Sequence, residues 1–397
     1  MNLLAIAADF PMPDRSSGDL RFLEILKVLA KRHAVRFCAY RPADPGNAID
    51  RSAYRAALEH CGVQVLGEDP IASIRSGPFD VVLFEFYFSA KSYLDEVRYW
   101  QPAARVVIDS VDVHFRRLFA KARITRAERD YLIAEEMRAV ESEVYRRGDL
   151  VIAVSEEDRM TLRREIEDLP VELIPNIHAV LPLAARNGRL RNSLIFIGNF
   201  QHSPNVDAML YFCKDVLPLV EVTVPDIHLT IVGSAPPEKL KKLADEHVKV
   251  VGFVPDILPI LEASAISIAP LRYGAGLKGK IGEAMAYGLP VVTTSTGAEG
   301  FGLTPGENVL LGDTPEAFAR AITALVRDAD LYERVRRAAW QLVNERYSVN
   351  AVSIRIQEVV DRLNRYPIKR LGLARRLEMT VRYQLGRHVS WRLKQAG

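Results

Sequence analysis

The chain has 397 residues, of which 49% are hydrophobic and 26% are charged, and its formal net charge is +3. This composition excludes a disordered chain, a collagen-like chain and a disulfide scaffold, and so small a net charge argues against a protein that coats nucleic acid. The three cysteines are widely spaced and match no zinc or redox motif, so we expect a reducing, cytoplasmic location. No apolar run is long enough for a signal peptide or a membrane span.

Apolar runs of strand length alternate with helix-length segments in the first half of the chain. The predicted strands are Leu3–Ala8, Val35–Tyr40, Val63–Leu66, Val81–Phe84, Val106–Ile108 and Leu150–Val154. The predicted helices are Asp19–Arg32, Ile49–His60, Ala127–Arg147 and Glu156–Glu167. Strands that are apolar on both faces and alternate with helices are typical of a parallel, doubly wound sheet.

The alternation pauses at residues 169–191, where three prolines and a glycine interrupt any periodic run, as expected of an interdomain linker. A second series then begins. Its predicted strands are Leu194–Ile197, His228–Val232, Val248–Val251, Ala265–Ala269, Val291–Thr294 and Asn308–Leu311. Its predicted helices are Val206–Leu217, Pro237–Glu246, Ile257–Ala263, Lys280–Tyr287, Pro315–Arg327, Asp330–Arg346 and Val349–Arg365.

The predicted fold class is therefore α/β, with two Rossmann-like, doubly wound domains that face each other across a cleft. The predicted divisions are an amino-terminal domain (1–175), a linker (176–192), a carboxy-terminal domain (193–348), a closing helix that packs back on the first domain (349–365) and a tail (366–397). Ligands of open α/β sheets bind beyond the carboxyl ends of the strands. The functional residues are therefore expected in the loops that follow strands.

The loop between the predicted strand Ala265–Ala269 and the next helix combines glycines with basic residues. Its glycines are Gly274, Gly276 and Gly279, and its lysines are Lys278 and Lys280. Glycines allow close backbone approach, and a helix amino terminus with two lysines attracts a diphosphate. Glu283 follows in the first helical turn, where its carboxylate can accept hydrogen bonds from two ribose hydroxyls. The alternative is a solvated basic loop in which Glu283 stabilises the helix dipole.

The same loop also matches the dinucleotide fingerprint G-x-G-x-x-G between Gly274 and Gly279. Glu299 follows Gly279 by twenty residues, where an acid that binds the NAD ribose could lie. Two facts disfavour this alternative. The motif lies in the second domain instead of the first β–α turn, and its two lysines exceed what a dinucleotide usually requires.

Polar residues follow the first strand of the second domain. Asn199, His202 and Asn205 could bind phosphate or sugar oxygens, although a simple helix-starting turn around Pro204 explains them equally well. A further loop follows the strand Val106–Ile108. It contains His114, which could bind a sugar hydroxyl or move a proton near neutral pH.

Two more loops complete the candidates. Gly18, in the loop after the first strand, permits close approach of a ligand to the following helix, with simple N-capping as the alternative. Asp328-Ala-Asp330 resembles a metal-binding D-x-D string, but it lies between two predicted helices and is interpreted as a helix cap. The sequence contains no recognisable metal-ligand cluster.

Together these segments resemble the retaining family 4 glycosyltransferases, which have the GT-B fold. The most specific matches are residues 196–205, 251–256, 270–290 and 293–300, and the similarity extends to about residue 365. The resemblance implies transfer of a sugar from a nucleotide-diphosphate donor, without a metal or other cofactor and with the anomeric configuration retained. It implies an acceptor-side first domain and a nucleotide-sugar-binding second domain.

The resemblance also assigns roles to individual residues. Glu283 matches the glutamate that contacts the ribose, Lys278 and Lys280 match basic positions near the diphosphate, and His114 matches a histidine near the transferred sugar. Gly18 matches the glycine of the phosphate-facing first loop. The catalytic candidates are thus His114, Lys278 and Lys280. The expected substrate-binding residues are Gly18, Asn199, His202, Asn205, Arg272, Gly274, Ala275, Gly276, Leu277 and Glu283.

The chain departs from the family pattern at two places. Many members have another glutamate before the position of Glu283, with seven residues between the two, but this chain has Ala275 there. Many also have an arginine and a lysine after the first strand of the second domain, where this chain has Asn199, His202 and Asn205. Two alternatives therefore stay open: a nucleotide-sugar epimerase, and a non-catalytic scaffolding member of a polysaccharide assembly.

The charge is divided unevenly along the chain. Residues 365–397 contain nine basic residues and one acid, a net charge of +8, which leaves −5 for the rest. Leu377, Val381, Leu385 and Val389 recur every fourth residue in this tail. Either a solvated, partly disordered tail or a peripheral anchor on an anionic membrane surface fits the pattern. A glycan or lipid-linked acceptor, and no nucleic acid, is expected as the partner.

Overall fold

Two parallel sheets form the centre of the computed structural model, which describes residues 1–41, 50–183, 191–274 and 277–395, without the side chains of 385–395. The first sheet has seven strands in the order β3-β2-β1-β4-β5-β6-β7. Its strands are β1 (Asn2–Ala7), β2 (Ala34–Ala39), β3 (Gln64–Val65), β4 (Val81–Glu85), β5 (Arg105–Asp109), β6 (Leu150–Ala153) and β7 (Val171–Leu173). Because β1 pairs in parallel with both β2 and β4, the strand order reverses beside β1.

The second sheet has six strands in the order β10-β9-β8-β11-β12-β13. These are β8 (Ser193–Ile197), β9 (His228–Val232), β10 (Val248–Gly252), β11 (Ile266–Ala269), β12 (Val291–Thr293) and β13 (Leu310–Leu311). All its pairs are parallel, and the order reverses between β8 and β11. The prediction of two doubly wound sheets is confirmed, and each reversal opens a crevice at the carboxyl ends of the strands.

Helices cover both faces of each sheet. In the first domain they are α1 (Ser17–Ala30), α2 (Ser52–His60), α3 (Pro70–Arg75), α4 (Phe86–Trp100), α5 (His114–Thr125), α6 (Glu128–Arg147) and α7 (Glu156–Glu165). In the second they are α8 (Ser203–Tyr211), α9 (Leu217–Glu221), α10 (Glu238–Lys241), α11 (Leu258–Ala263), α12 (Gly279–Ala286), α13 (Ser295–Ala298), α14 (Pro315–Arg327) and α15 (Ala329–Tyr347). One turn of π-helix, Phe212–Val216, joins α8 to α9.

The chain then returns to the first domain through α16 (Val349–Arg362) and a short 3₁₀ turn, Leu363–Arg365. Val352, Ile356 and Val359 of α16 are buried in the same cluster as Leu3 of β1 and Phe22 of α1. Burying three apolar side chains in a core made by another segment stabilises the folded state by several kcal/mol, at about 1.5–3 kcal/mol for each fully buried side chain. This helix is therefore part of the first domain's core.

Two predictions need correction. Residues 169–191 are not all linker, because β7 (Val171–Leu173) pairs with β6 as the edge of the first sheet; residues 184–190 lie outside the described residues. The helix α4 was missed because its start, 86–88, continues the apolar run of β4. The tail, for which two alternatives stayed open, contains the helix α17 (Leu373–Gln395), whose side chains are exposed at most of the described positions.

The helix α17 is docked on α4 by specific contacts. Met379 is 2% exposed, and the ring of Tyr383 stacks on Tyr99 at 5.6 Å between centroids. Arg375 pairs with Asp95 at 2.8 Å. Among the described residues, none of the helices combines the length and the apolar character needed to cross a bilayer.

Candidate active site

A cavity of about 480 Å³ lies between the two domains, at the carboxyl ends of their strands. The loop after β1 contributes residues 13–17, and the second domain contributes the loops after β8, β9 and β10 together with one side of α12. The size is that of ordinary small-molecule sites. The cavity therefore occupies the crevices that the two strand-order reversals create.

Five of the predicted binding residues line this cavity together. They are Asn199, His202, Asn205, Lys280 and Glu283. The first three follow β8, and the last two are on α12, which follows β11. Because β8 and β11 are neighbours in the sheet, the loops that follow them meet at one place. Residues far apart in sequence thus form one polar wall.

Lys280 is the most unusual residue of this wall. Its Nζ atom lies 2.5 Å from Asn205 Oδ1 and 5.0 Å from the centroid of the Phe196 ring. Among the described residues, no carboxylate lies within ion-pair distance of it. Burial, with the nearby charge of Lys278, lowers the pKa of the Lys280 ammonium to about 7, against the opposing charge of Glu283. The cavity therefore presents a poorly solvated cation to any ligand.

Glu283 lies one helical turn beyond Lys280 on the cavity wall. Burial raises the pKa of its carboxyl to about 7, although the positive charge of Lys280 opposes this shift. Asp256 and Tyr287 line the cavity beside it. A carboxyl in this position can hydrogen-bond hydroxyl groups of a bound nucleoside.

Asn205 and His202 hold the loop after β8 in place. Asn205 donates from Nδ2 to the Asn199 carbonyl at 2.7 Å while its Oδ1 accepts from Lys280. His202 immediately precedes α8, and burial lowers the pKa of its imidazole, assisted by the charges of Arg117 and Lys280. A neutral imidazole can donate one hydrogen bond and accept another, which suits phosphate or sugar oxygens.

The structure does not place Lys278 on the cavity wall. Its Nζ lies 3.7 Å from Glu299 Oε2, and its side chain is almost completely buried. Burial lowers the pKa of the Lys278 ammonium, against the charge of Glu299. Glu299 also pairs with Arg116 of the first domain, and Arg116 pairs with Asp158 at 3.0 Å. These charges connect the two domains beside the cavity.

The ion pairs around Glu299 argue against binding of a dinucleotide. The acid that would bind an NAD ribose, Glu299, has both carboxylate oxygens engaged by Arg116 and Lys278. A ribose would have to displace one of these cations from a partly buried ion pair. The geometry therefore does not favour that alternative.

Other predicted residues lie elsewhere. Arg272 is held by Asp207 in a two-pronged ion pair, with Nε 2.9 Å from Oδ2, and its guanidinium lies over Tyr211. Leu277 is buried in the second domain's core, and its carbonyl accepts a bond from Asn176 at 3.3 Å. Gly274 does not line the cavity, and Ala275 and Gly276 lie outside the described residues.

Gly18 and His114 belong to the first domain near the cavity. Gly18 lies in the first turn of α1, where an added Cβ would approach Val111 Cγ1 to 3.1 Å, while its neighbours Ser16 and Ser17 line the cavity. His114 is the first residue of α5 and not part of a loop. It does not line the cavity, although its charge acts on His202, which does.

Several cavity residues have no signal in the sequence that marks them. Arg15 lies over the ring of Phe253 at 5.0 Å, joining the domains at the cavity's edge. His178 packs against Gly282 of α12, and burial lowers the pKa of its imidazole to about 4. No spacing signal marks these residues, because their neighbours come from the other domain. In the described part of the chain, no three or more His, Cys, Asp or Glu side chains form a group that could hold a metal ion.

Two facing, doubly wound domains with a ligand-sized cavity between their strand ends define the GT-B class of fold. A known protein of this fold is the sucrose-phosphate synthase from Thermosynechococcus elongatus, at a TM-score of 0.69 and 16% identity, covering 91% of this chain and 99% of that one. Another is Anabaena Alr3699/HepE in complex with UDP-glucose, at a TM-score of 0.65 and 15% identity, covering 90% and 99%.

The family comparison is more specific. Residues 191–328 match the family described as glycosyl transferases group 1, which confirms the predicted resemblance to a GT-B glycosyltransferase over this part of the chain. The phosphatidyl-myo-inositol mannosyltransferase of Mycobacterium leprae is 31% identical over 188 residues, covering 45% of this chain and 49% of the relative. The chain spans less than half the length of the curated relatives it matches.

Proposed function

We propose that this protein transfers a sugar from a nucleotide-diphosphate donor to a hydroxyl of a glycan or lipid-linked acceptor, in polysaccharide or glycolipid synthesis. The observation that carries the proposal is the buried Lys280 at the start of α12, whose pKa is lowered to about 7. An anion bound there would restore the charge that burial destabilises. The group 1 family match and a similar fold that holds UDP-glucose support a nucleotide sugar as that anion.

The proposed chemistry follows from the charge that must be stabilised. As the bond between the sugar and the phosphate breaks, negative charge builds on the leaving diphosphate. Lys280 and the N–H groups at the start of α12 would stabilise that charge without rearranging, a role that other transferases give to a metal ion. Metal independence is therefore part of the proposal.

Retention of configuration is also proposed, from the family resemblance. The acceptor oxygen would bond to the anomeric carbon on the face from which the phosphate departs, and a phosphate oxygen would take the acceptor's proton. Glu283 would hold the ribose, and His114 would lie beside the transferred sugar. Closure of the two domains would exclude water and limit donor hydrolysis.

The deciding experiment uses the Lys280→Ala variant and a panel of UDP-, GDP- and ADP-sugars. Thermal shift identifies the donor, and mass spectrometry follows the products with and without acceptor extracts. We expect transfer to fall by about 10²–10³-fold, the usual cost of removing one donor that stabilises a developing anion. The matched control is Lys241→Ala, an exposed lysine of the same domain paired with Glu238. Unchanged donor binding and turnover in the Lys280 variant would contradict the proposal, as would an epimerised sugar formed from donor alone.

A membrane surface is proposed as a further partner, because of the outward face of α17. The side chains of Leu373, Leu377 and Val381 lie one turn apart along the helix and are 74%, 59% and 54% exposed. The exposed Arg376 and Arg382 accompany them. An exposed apolar row with flanking arginines fits the interface of an anionic bilayer. In this arrangement the protein would lie on the cytoplasmic face of a membrane.

Vesicle flotation tests this partner. The wild-type chain should bind vesicles that contain phosphatidylglycerol more strongly than vesicles of phosphatidylcholine alone, and Leu377→Asp with Val381→Asp should abolish the difference. Val222→Asp is the matched control, because Val222 is 81% exposed on the other domain. Equal binding by the tail variant and the wild type would remove the membrane proposal and leave the transfer proposal intact.

A further inference from the structure

A buried carboxylate lies directly behind the ring of His114. Glu141 is on α6, and its side chain is completely buried where α6 packs against α5. Its Oε1 atom lies 3.3 Å from His114 Nδ1 and accepts a hydrogen bond from the Tyr145 hydroxyl at 3.2 Å. Neither Glu141 nor Tyr145 belongs to the loops that follow strands, so their place beside the cleft comes only from helix packing.

Glu141 also completes the amino terminus of α5. The residue at the N-cap position is Val113, whose side chain cannot accept a hydrogen bond. Instead, the backbone N–H of His114 donates to Glu141 Oε1 at 3.2 Å, and that of Phe115 donates to Oε2 at 2.8 Å. A carboxylate from a neighbouring helix thus satisfies two N–H groups that a helix start leaves unpaired. These two bonds fix Glu141 independently of the imidazole.

The same carboxylate determines how the imidazole is oriented. His114 Nδ1 lies 3.1 Å from the Asp112 carbonyl and 3.3 Å from Glu141 Oε1, and both groups only accept hydrogen bonds. Nδ1 must therefore carry a hydrogen even when the ring is neutral. The other ring nitrogen, Nε2, is then the atom available to a ligand.

The charges around the ring add to this arrangement. Burial lowers the pKa of His114, but the hydrogen bond that its ring donates to Glu141 and the charges of Asp112 and Glu141 outweigh burial and raise the pKa, against the charge of Arg117. The ring also meets Tyr87 edge-on at 5.2 Å between centroids, and its charge acts on His202 of the second domain.

We propose that Glu141 is a positioning residue for glycosyl transfer, which holds the His114 ring with Nδ1–H turned into the protein and Nε2 presented to the transferred sugar. This inference rests on the proposed function, because it requires the sugar to lie beside His114. Glu141 itself touches no substrate. It acts through the imidazole and through the first turn of α5.

The first test measures the tautomer and the pKa of the His114 ring, and it needs no substrate. Long-range ¹H–¹⁵N spectra of the full chain distinguish the two neutral forms of His114 and follow its titration. We expect the Nδ1–H form in the wild type, and in Glu141→Gln a lower pKa and a mixture of the two forms. Tyr145→Phe is the matched control, because it removes another partner of the same carboxylate and leaves the imidazole contacts in place. Unchanged His114 signals in Glu141→Gln would overturn the inference.

The second test measures transfer by the same variants. Glu141→Gln should lower kcat by at least ~10-fold and move the limb of the pH profile that reports His114 to lower pH, with the donor KM unchanged. Gln keeps one acceptor oxygen for α5, so circular dichroism should report an intact fold. A changed tautomer with an unchanged kcat would also overturn the positioning role. Absence of transfer by the wild type would instead overturn the proposed function, so the two failures are distinguishable.

Discussion

Each domain has a buried cation near its strand ends, and the two cations differ in the partners that surround them. In the first domain, Arg21 pairs with Asp109 at 2.5 Å, and it donates to the carbonyl of Ile174 at 2.7 Å. In the second, Lys280 has only the amide oxygen of Asn205 at a comparable distance among the described residues. A buried cation that is paired with a carboxylate has a structural role, whereas one that has only a neutral partner can bind an anionic ligand.

The surroundings of the two cations differ in the same sense. Next to Arg21, Glu85 at the end of β4 is buried, and burial raises its pKa well above the ordinary value, with the charges of Asp19 and Asp109 adding to the shift. Near Arg21 the first domain therefore buries two carboxyl groups, Glu85 and Asp109, beside one cation. The second domain has a buried lysine whose own proton is weakly held. An anionic ligand would therefore gain its binding energy from the second domain.

Replacing each buried cation by methionine tests this comparison with the largest expected effect. Arg21→Met leaves Asp109 buried without its partner and should destabilise the protein by about 3–5 kcal/mol. Lys280→Met removes a cation whose burial is unfavourable, so the free energy of unfolding should stay the same or rise. Urea unfolding measures both. Equal destabilisation by the two variants would show that Lys280 is a structural cation.

The Glu283→Ala variant tests whether the second domain binds the ribose of the donor. Loss of a hydrogen-bonding carboxyl to the ribose should raise the donor KM by about 10–100-fold, which corresponds to one hydrogen bond to a charged group. The matched control is Glu246→Ala, at an 88% exposed glutamate of the same domain. Steady-state kinetics with the identified donor provides the measurement. A donor KM like that of the control would remove Glu283 from the site.

Lys280 determines how binding of the donor's nucleoside diphosphate should vary with pH. Because its pKa is lowered to about 7, Lys280 already holds its proton below that pH, whereas above it a proton must be taken up from the solvent when the diphosphate binds. The affinity for the nucleoside diphosphate of the identified donor should therefore fall by about tenfold between pH 7 and 8.5, with proton uptake on binding. Calorimetry in buffers of different ionisation enthalpy measures that uptake. Lys280→Arg should remove the proton uptake that Lys280 contributes and leave only the titration of Glu283, whose pKa is also about 7. A flat profile in the wild type would contradict this prediction.

The smallest effect is expected at Asp328. The D-x-D string is a helix cap, as predicted, because the Asp328 side chain accepts from the backbone of Asp330 and Leu331 at the start of α15. Asp328→Ala should cost about 1 kcal/mol of stability and leave transfer unchanged. Thermal unfolding measures the stability, and the transfer assay measures the activity. Loss of activity in a fully stable variant would instead support a metal-binding role for Asp328.

Sequence patterns predicted the loops of the site where each loop follows a strand. The alternation of apolar runs placed the loops around Asn199 and Lys280 at strand ends, and the structure showed that their strands are neighbours. The partners of Lys278 could not be predicted, because Glu299 and Arg116 approach it from another loop and from the other domain. Glu141 was missed for the same reason, since its function depends on how α6 packs against α5.

The tail shows where helical periodicity stops being informative. The row that includes Leu377 and Val381 would usually mark a buried face, yet these side chains are exposed, and Met379 and Tyr383 make the contacts with the first domain. Several faces of this helix carry apolar residues, so only the partner surface on α4 selects the one that is buried.

The sequence by itself determined the two parallel sheets, the loops in which function lies and the family that the second domain resembles, because these depend on local periodicity and motif spacing. Only the tertiary structure decided which charges are paired, which lysine faces the cavity and which carboxylate orients His114. Pairing and burial depend on distances of a few ångströms between segments far apart in the chain, and these distances also set the pKa values. The chemistry proposed for Lys280 therefore rests on packing that no single segment encodes.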